Sequence, residues 1–133
     1  MGATVTPSWA YTLHLPHDPR AAGIARATLR AVLDRHGINA VADTAELLAS
    51  ELVSNAYRHT RGPCALRLRA LSADRLRIGV WDTSPDIPGP FTPPTHAESG
   101  RGLLLVTLCA SRYGARLLPS PQTGKLLWAE CTA

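Results

Sequence analysis

The chain has 133 residues, of which 45% are hydrophobic, so it can form one globular domain with one core and is too short for two. No apolar run approaches the ~20 residues of a membrane span, and the N-terminus lacks the pattern of a signal peptide, so we expect a cytoplasmic protein. Fourteen Lys and Arg against ten Asp and Glu give a net charge of +4, which suits a polyphosphate, an acidic protein or nucleic acid. The arginines look scattered along the chain and only three Trp, three Tyr and one Phe are present, which argues against nucleic acid.

The first half of the chain predicts one strand and two amphipathic helices. Residues 9–15 alternate between apolar and polar side chains, as a half-buried strand does. Asp18 is a capping residue in front of a proline, and apolar residues then recur at helical spacing until Gly37. A second helix is predicted to start after Asn39 and to run to about His59, with its own apolar stripe.

Three polar residues stand four positions apart on this second helix. Glu51, Asn55 and His59 therefore share one helical face, because a spacing of four returns a side chain to nearly the same side one turn later. They lie at the edge of the apolar stripe, so we expect them to be partly buried. A carboxylate and an amide oxygen that converge in this way suit a magnesium-bound phosphate.

The middle of the chain predicts two strands, at 64–71 and 75–82, joined by a short polar turn. Alternation in the second strand places Asp82 on the same side as Ile78 and Val80. A carboxylate on an apolar face is unusual, so Asp82 is predicted to be buried and to need a partner.

The last part of the chain predicts a loop, a helix and two strands. Residues 83–99 contain five prolines and no apolar periodicity, which is typical of a lid or a binding loop. Gly-Arg-Gly at 100–102 precedes a helical run at 103–110, and such a turn presents backbone N–H groups to an anion. With strands at 115–118 and 125–131, the order of elements predicts an α/β (α+β) two-layer sandwich, whose mostly antiparallel sheet carries helices on one face.

Three segments in this order resemble the sequence boxes of a known family. Residues 51–59 (ELVSNAYRH) look like the N box, 80–85 (VWDTSP) like the adenine-binding box and 99–103 (SGRGL) like the glycine box of the GHKL ATPases. The chain is most similar to the stand-alone histidine-kinase-like ATPase domains of bacterial anti-sigma factors, the RsbW-like serine/threonine kinases. The resemblance covers roughly Leu15 to Glu130.

The resemblance implies one domain over 1–133 with the Bergerat-type ATP-binding fold, a core at about 9–131 and an ATP lid at about 83–101. It implies ATP and Mg²⁺ as cofactors, and a regulatory protein that phosphorylates an antagonist protein on serine or threonine, sequesters a sigma factor, or does both. A nucleotide-responsive binding module without turnover is the main alternative. A basic nucleic-acid-binding domain is a third, although it would leave the polar row and Asp82 unexplained. Similar proteins often form dimers, and whether this one does stays open.

The resemblance also assigns roles to particular residues. Asn55 would supply a side-chain oxygen to Mg²⁺, and Glu51 would be the general base that deprotonates the attacking hydroxyl. Asp82 would accept a hydrogen bond from the amino group of adenine. Four further residues would contact or border the phosphates: His59, Gly100, Arg101 and Gly102.

Three other positions carry expectations of their own. Arg58 and Lys125 are expected to be solvated surface charges. Ser84 stands where many members of the family have a glycine, two residues after the adenine-binding aspartate, so the floor of the pocket is expected to differ.

Overall fold

A computed structural model describes residues 9–91, 101–119 and 123–133. Over these residues the chain forms a five-stranded sheet with helices packed on one face, and a short 3₁₀ turn at Gly89–Phe91. None of the helices in these ranges combines the length and the apolar character that crossing a bilayer requires. The elements in chain order are β1 (Ala10–Leu15), α1 (Ala21–Arg35), α2 (Ala42–His59), β2 (Cys64–Ser72), β3 (Arg75–Asp82), α3 (Arg101–Cys109), β4 (Arg112–Leu117) and β5 (Lys125–Thr132).

The strands lie in the order β1-β2-β3-β5-β4, and all four neighbouring pairs are antiparallel. One face of the sheet packs against the helices, because alternate positions such as Leu66, Ile78 and Leu127 are apolar and fully buried. The buried stripe of α2, which includes Leu48 and Leu52, completes this core. The predicted fold class is therefore confirmed.

Most element bounds agree with the predictions to within a few residues. Helix α1 begins later than the Asp18 signal indicated, because the Asp18 side chain accepts the N–H of Arg20 at 2.8 Å and so caps the turn before the helix. Strand β4 begins at Arg112, earlier than predicted, because all six of its residues pair with β5. The loop predicted as a lid is described up to Phe91, and residues 92–100 lie outside the described part of the chain.

The other side of the sheet, which we call the open face, carries most of the sheet's charge. Its cross-strand rows include Arg69 beside Arg77 and Gly79 beside Trp128. The expectation that the arginines are scattered is wrong, since strand alternation brings residues that are distant in sequence to one face. Six arginines share the open face: Arg67, Arg69, Arg75, Arg77, Arg112 and Arg116.

Candidate functional site

A cavity of about 250 Å³ lies between the C-terminal half of α2 and the loop that follows β3. Helix α2 contributes Asn55 and His59, α3 contributes Leu103, and β5 contributes Lys125. The remaining wall consists of loop residues 84 and 86–90. The cavity is therefore lined by residues of all three predicted boxes: Asn55 and His59 of the first, Ser84 of the second and Leu103 of the third.

Asn55 is the most informative side chain in this wall. It is 3% exposed, and within the described residues its amide has no hydrogen-bond partner. Among the described residues the only fully buried side-chain N or O atom without a partner is Trp81 Nε1, so the amide of Asn55 is accessible from the cavity and can bind a ligand there. His59 lies one turn later and also lines the cavity, but it is exposed, so the expectation that it is partly buried is wrong. Glu51 lies one turn earlier and is half-buried, but it is not part of the cavity wall.

Asp82 is buried at the end of β3, as predicted, and it has the partner that its position demands. The ammonium group of Lys125 donates to Asp82 Oδ1 at 2.9 Å, and the backbone N–H of Ser84 donates to the same oxygen at 2.9 Å. Both side chains of the ion pair are almost fully buried, at 1% and 2% exposure. The expectation of a solvated Lys125 is therefore wrong, whereas Arg58 is exposed as expected.

The backbone before Lys125 explains how the lysine reaches Asp82. The two residues are direct partners in the antiparallel register of β3 and β5. Gly124 has a φ of +112°, and a Cβ atom there would overlap the carbonyl oxygen of Asp82. Alternation in β5 places Lys125 on the same side as the buried Leu127 and Ala129. This pattern in the sequence could have predicted that Lys125 is buried.

The charge of Asp82 also affects its neighbour across the strand pair. Burial, together with the nearby carboxylate, raises the pKa of the Cys64 thiol to about 11. Cys64 therefore remains a neutral thiol near pH 7 and is a poor candidate for a nucleophile or a metal ligand.

A metal ion in this cavity would need ligands that the protein does not supply. In the ranges that the structure describes, no group of three or more His, Cys, Asp and Glu side chains could hold a metal. The amide oxygen of Asn55 is one neutral ligand, which fits an ion such as Mg²⁺ that takes most of its ligands from water and phosphate. The residues present thus fit a magnesium ion that arrives with a phosphate ligand.

The predicted phosphate residues are described only in part. Gly100 lies outside the described residues, and the backbones of Arg101 and Gly102 form the start of α3. Leu103, in the first turn of this nine-residue helix, is buried and lines the cavity. The N-terminus of α3 therefore borders the cavity, where its free N–H groups can meet an anion.

A comparison with protein families agrees with this geometry. A family model described as "Histidine kinase-like ATPase domain" matches residues 15–123. The matched range contains every residue of the cavity wall except Lys125, which lies just beyond its end. No curated protein matches the chain.

Proposed function

The chain belongs to the family of histidine kinase-like ATPase domains, and from this premise we propose that its cavity binds Mg-ATP. Membership of this family supports an ATP-binding regulatory or kinase-like module. We further propose a regulatory protein of the anti-sigma-factor type. It would phosphorylate a protein antagonist on serine or threonine, sequester a sigma factor, or do both.

The observation that carries the proposal is the amide of Asn55, a residue that is 3% exposed and whose side chain lines the cavity wall. Within the described residues this amide has no protein partner, and a ligand that brings Mg²⁺ and phosphate oxygens would satisfy it. The start of α3 borders the same cavity and offers N–H groups to the phosphates. The positive end of the α3 helix dipole therefore favours an anionic ligand in the cavity.

Asp82 is not in the cavity wall itself, but its partners Ser84 and Lys125 are, and this supports adenine as the base. Its Oδ1 already accepts from Lys125 and Ser84, while Oδ2 accepts no hydrogen bond from any described residue. In our proposal Oδ2 accepts the amino group of adenine, which guanine lacks at the equivalent position. Lys125 lines the cavity and forms an ion pair with the carboxylate, so it belongs to the base subsite.

Whether phosphate is transferred depends on Glu51. As the general base it would take the proton of the attacking hydroxyl while that oxygen bonds to the γ-phosphorus and the bond to the β-phosphate breaks. Its position outside the cavity wall favours the alternative, a nucleotide-responsive binding module without turnover. We retain kinase activity as the first candidate, because a bound protein substrate would extend the cavity wall and could bring its hydroxyl group to Glu51.

The binding step is tested by thermal unfolding with Mg-ATP, Mg-ADP and Mg-GTP. Adenine nucleotides at about 100 times their Kd should stabilise the fold by about 2.7 kcal/mol, and GTP should not. Asn55→Ala should remove most of the dependence on magnesium. Ser54→Ala, a neighbour outside the cavity, is the matched control and should behave like the parent. No shift with millimolar ATP would overturn the proposal.

The base subsite needs a paired substitution, because Asp82→Asn alone would leave the Lys125 ammonium buried without its partner. Asp82→Asn combined with Lys125→Met removes both charges together. This double variant should remain folded and should lose the preference for ATP over GTP. Retention of the full preference would contradict the role of Asp82.

The catalytic step is tested with Glu51→Ala and labelled ATP. The variant should bind Mg-ATP like the parent and should lose transfer to proteins captured from the native cell. Equal transfer by the variant would disprove Glu51 as the base. Normal binding with no transfer even by the parent would favour the binding module.

A further inference from the structure

The open face concentrates positive charge to a degree that the net charge of the chain does not indicate. Its six arginines are opposed by a single acidic residue at the strand positions of this face, Glu130. The excess of positive charge on this one face is larger than the +4 of the whole chain. The rest of the protein is therefore close to neutral, and the positive electrostatic potential of the protein is concentrated at the open face.

A groove of about 210 Å³ runs across the centre of this face. Its floor lies at Gly79, which has no side chain, and Trp128 forms part of its wall. Arg67, Arg69 and Arg116 border it, and none of these three has an ion pair with another described residue. Three guanidinium groups thus surround a depression without an anion to neutralise them.

Glu130 demonstrates which chemistry this face accepts. Its carboxylate is fully buried, and Arg75 and Arg77 donate hydrogen bonds to its two oxygens. Both arginines remain about 40% exposed, so they hold the carboxylate from the solvent side. Guanidinium groups suit carboxylates because their planar donors match the two oxygens.

The structure argues against two other occupants of the groove. A second copy that docked through its own open face would bring two faces of like charge together, which repel each other. Single-stranded nucleic acid needs exposed aromatic faces on which to stack its bases. Of the tryptophans at strand positions of this face, Trp81 is half-buried, and the ring of Trp128 is covered by the Arg77 guanidinium at 4.4 Å and packs over Gly114, where a Cβ atom would lie 2.6 Å from it.

We propose that the open face binds an acidic segment of a protein partner, whose Asp and Glu side chains pair with Arg67, Arg69 and Arg116. The segment would lie across the sheet over the groove at Gly79. This surface is on the opposite side of the sheet from the helices and the nucleotide cavity, so a protein can dock here while a nucleotide occupies that cavity. Binding at this face requires no nucleotide.

The test uses fluorescence anisotropy with a labelled peptide of alternating Glu and Ala, without nucleotide. We expect saturable binding that weakens as salt is added, and no binding of the matched peptide in which Gln replaces Glu. The double variant Arg67→Glu/Arg69→Glu should weaken binding at least about tenfold. Arg116→Glu, on a different strand, should weaken it in the same direction.

Arg35→Glu is the matched control, because it makes the same change of charge at an exposed position on α1 in the helical layer. It should leave peptide affinity within about twofold of the parent. Circular dichroism confirms that each variant is folded before its affinity is compared. An equal loss in Arg35→Glu and in the open-face variants would overturn the proposal, as would no binding by the parent. Tighter binding of labelled oligothymidylate than of the Glu peptide would overturn the choice of an acidic protein.

Discussion

Asp82 and Glu130 are both buried carboxylates on neighbouring strands, but the protein neutralises them in opposite ways. Asp82 faces the helices and pairs with one lysine that is as buried as itself. Glu130 faces the other way and pairs with three arginines that stay between 36% and 63% exposed. Both members of the Asp82 pair are buried from solvent, whereas around Glu130 only the carboxylate is buried and the arginines stay partly exposed.

The difference indicates a separate role for each of the two arrangements. A fully buried ion pair loses the hydration of both charges, and well-packed apolar residues often stabilise a protein as much. Its position beside a cavity wall is therefore better explained by a ligand than by folding. Around Glu130 the arginines keep much of their hydration, and Arg77 also covers Trp128. The Glu130 carboxylate and the Trp128 ring therefore hold the arginine side chains in place on the open face.

The largest expected effect is that of removing the buried cation. Lys125→Met leaves Asp82 buried without its ammonium partner, so we expect it to lower the free energy of unfolding by about 3–5 kcal/mol. Urea denaturation at pH 7 measures this change. The double variant Asp82→Asn/Lys125→Met should recover most of the loss, since no unpaired charge then remains. A double variant as unstable as Lys125→Met would show that packing, and not charge, dominates.

Removing the buried anion of the open face should cost less. Glu130→Gln replaces charge-assisted hydrogen bonds by neutral ones, so we expect a loss of about 2 kcal/mol at pH 7 by urea denaturation. The arginines remain partly hydrated and do not become buried unpaired charges. A loss as large as that of Lys125→Met would remove the contrast between the two regions.

The same variant should change the dependence of stability on acid. Burial by itself would raise the pKa of Glu130, but hydrogen bonds from Arg77 and Arg75 hold it below its ordinary value. The folded state then binds fewer protons than the unfolded state, so this stabilisation is present above about pH 4 and is lost as the pH falls through the folded pKa. Glu130→Gln should show a shallower fall in stability on acidification. An unchanged acid profile would contradict this.

The smallest effects should distinguish the arginines around Glu130. Arg112 lies 3.8 Å from the carboxylate and is 63% exposed, so Arg112→Ala should change stability by less than about 0.5 kcal/mol. Arg77→Ala should cost about 1–2 kcal/mol, because it removes two hydrogen bonds to Glu130 and the contact with Trp128. Equal effects in thermal or urea unfolding would mean that Glu130 responds to total charge and not to individual contacts.

The sequence by itself determined the fold class, the helix α2 and the strand β3, because periods of 3.6 and 2 residues reveal which side of an element is buried. The same periods predicted the burial of Asn55 and Asp82, which the structure confirms. The family resemblance supplied their proposed roles, which remain to be tested. Glu51 was grouped with Asn55 by spacing alone, and spacing could not say which residues a cavity would reach.

Only the tertiary structure decided the partner of Asp82 and the character of the open face. Lys125 meets Asp82 because β5 pairs with β3 in one register, 43 residues later in the chain. The six arginines become one surface because alternation in β2, β3 and β4 turns them to the same face of one sheet, in which β5 lies between β3 and β4. Pairing and register depend on which strands become neighbours, and that is set by the packing of the whole sheet and not by any local pattern.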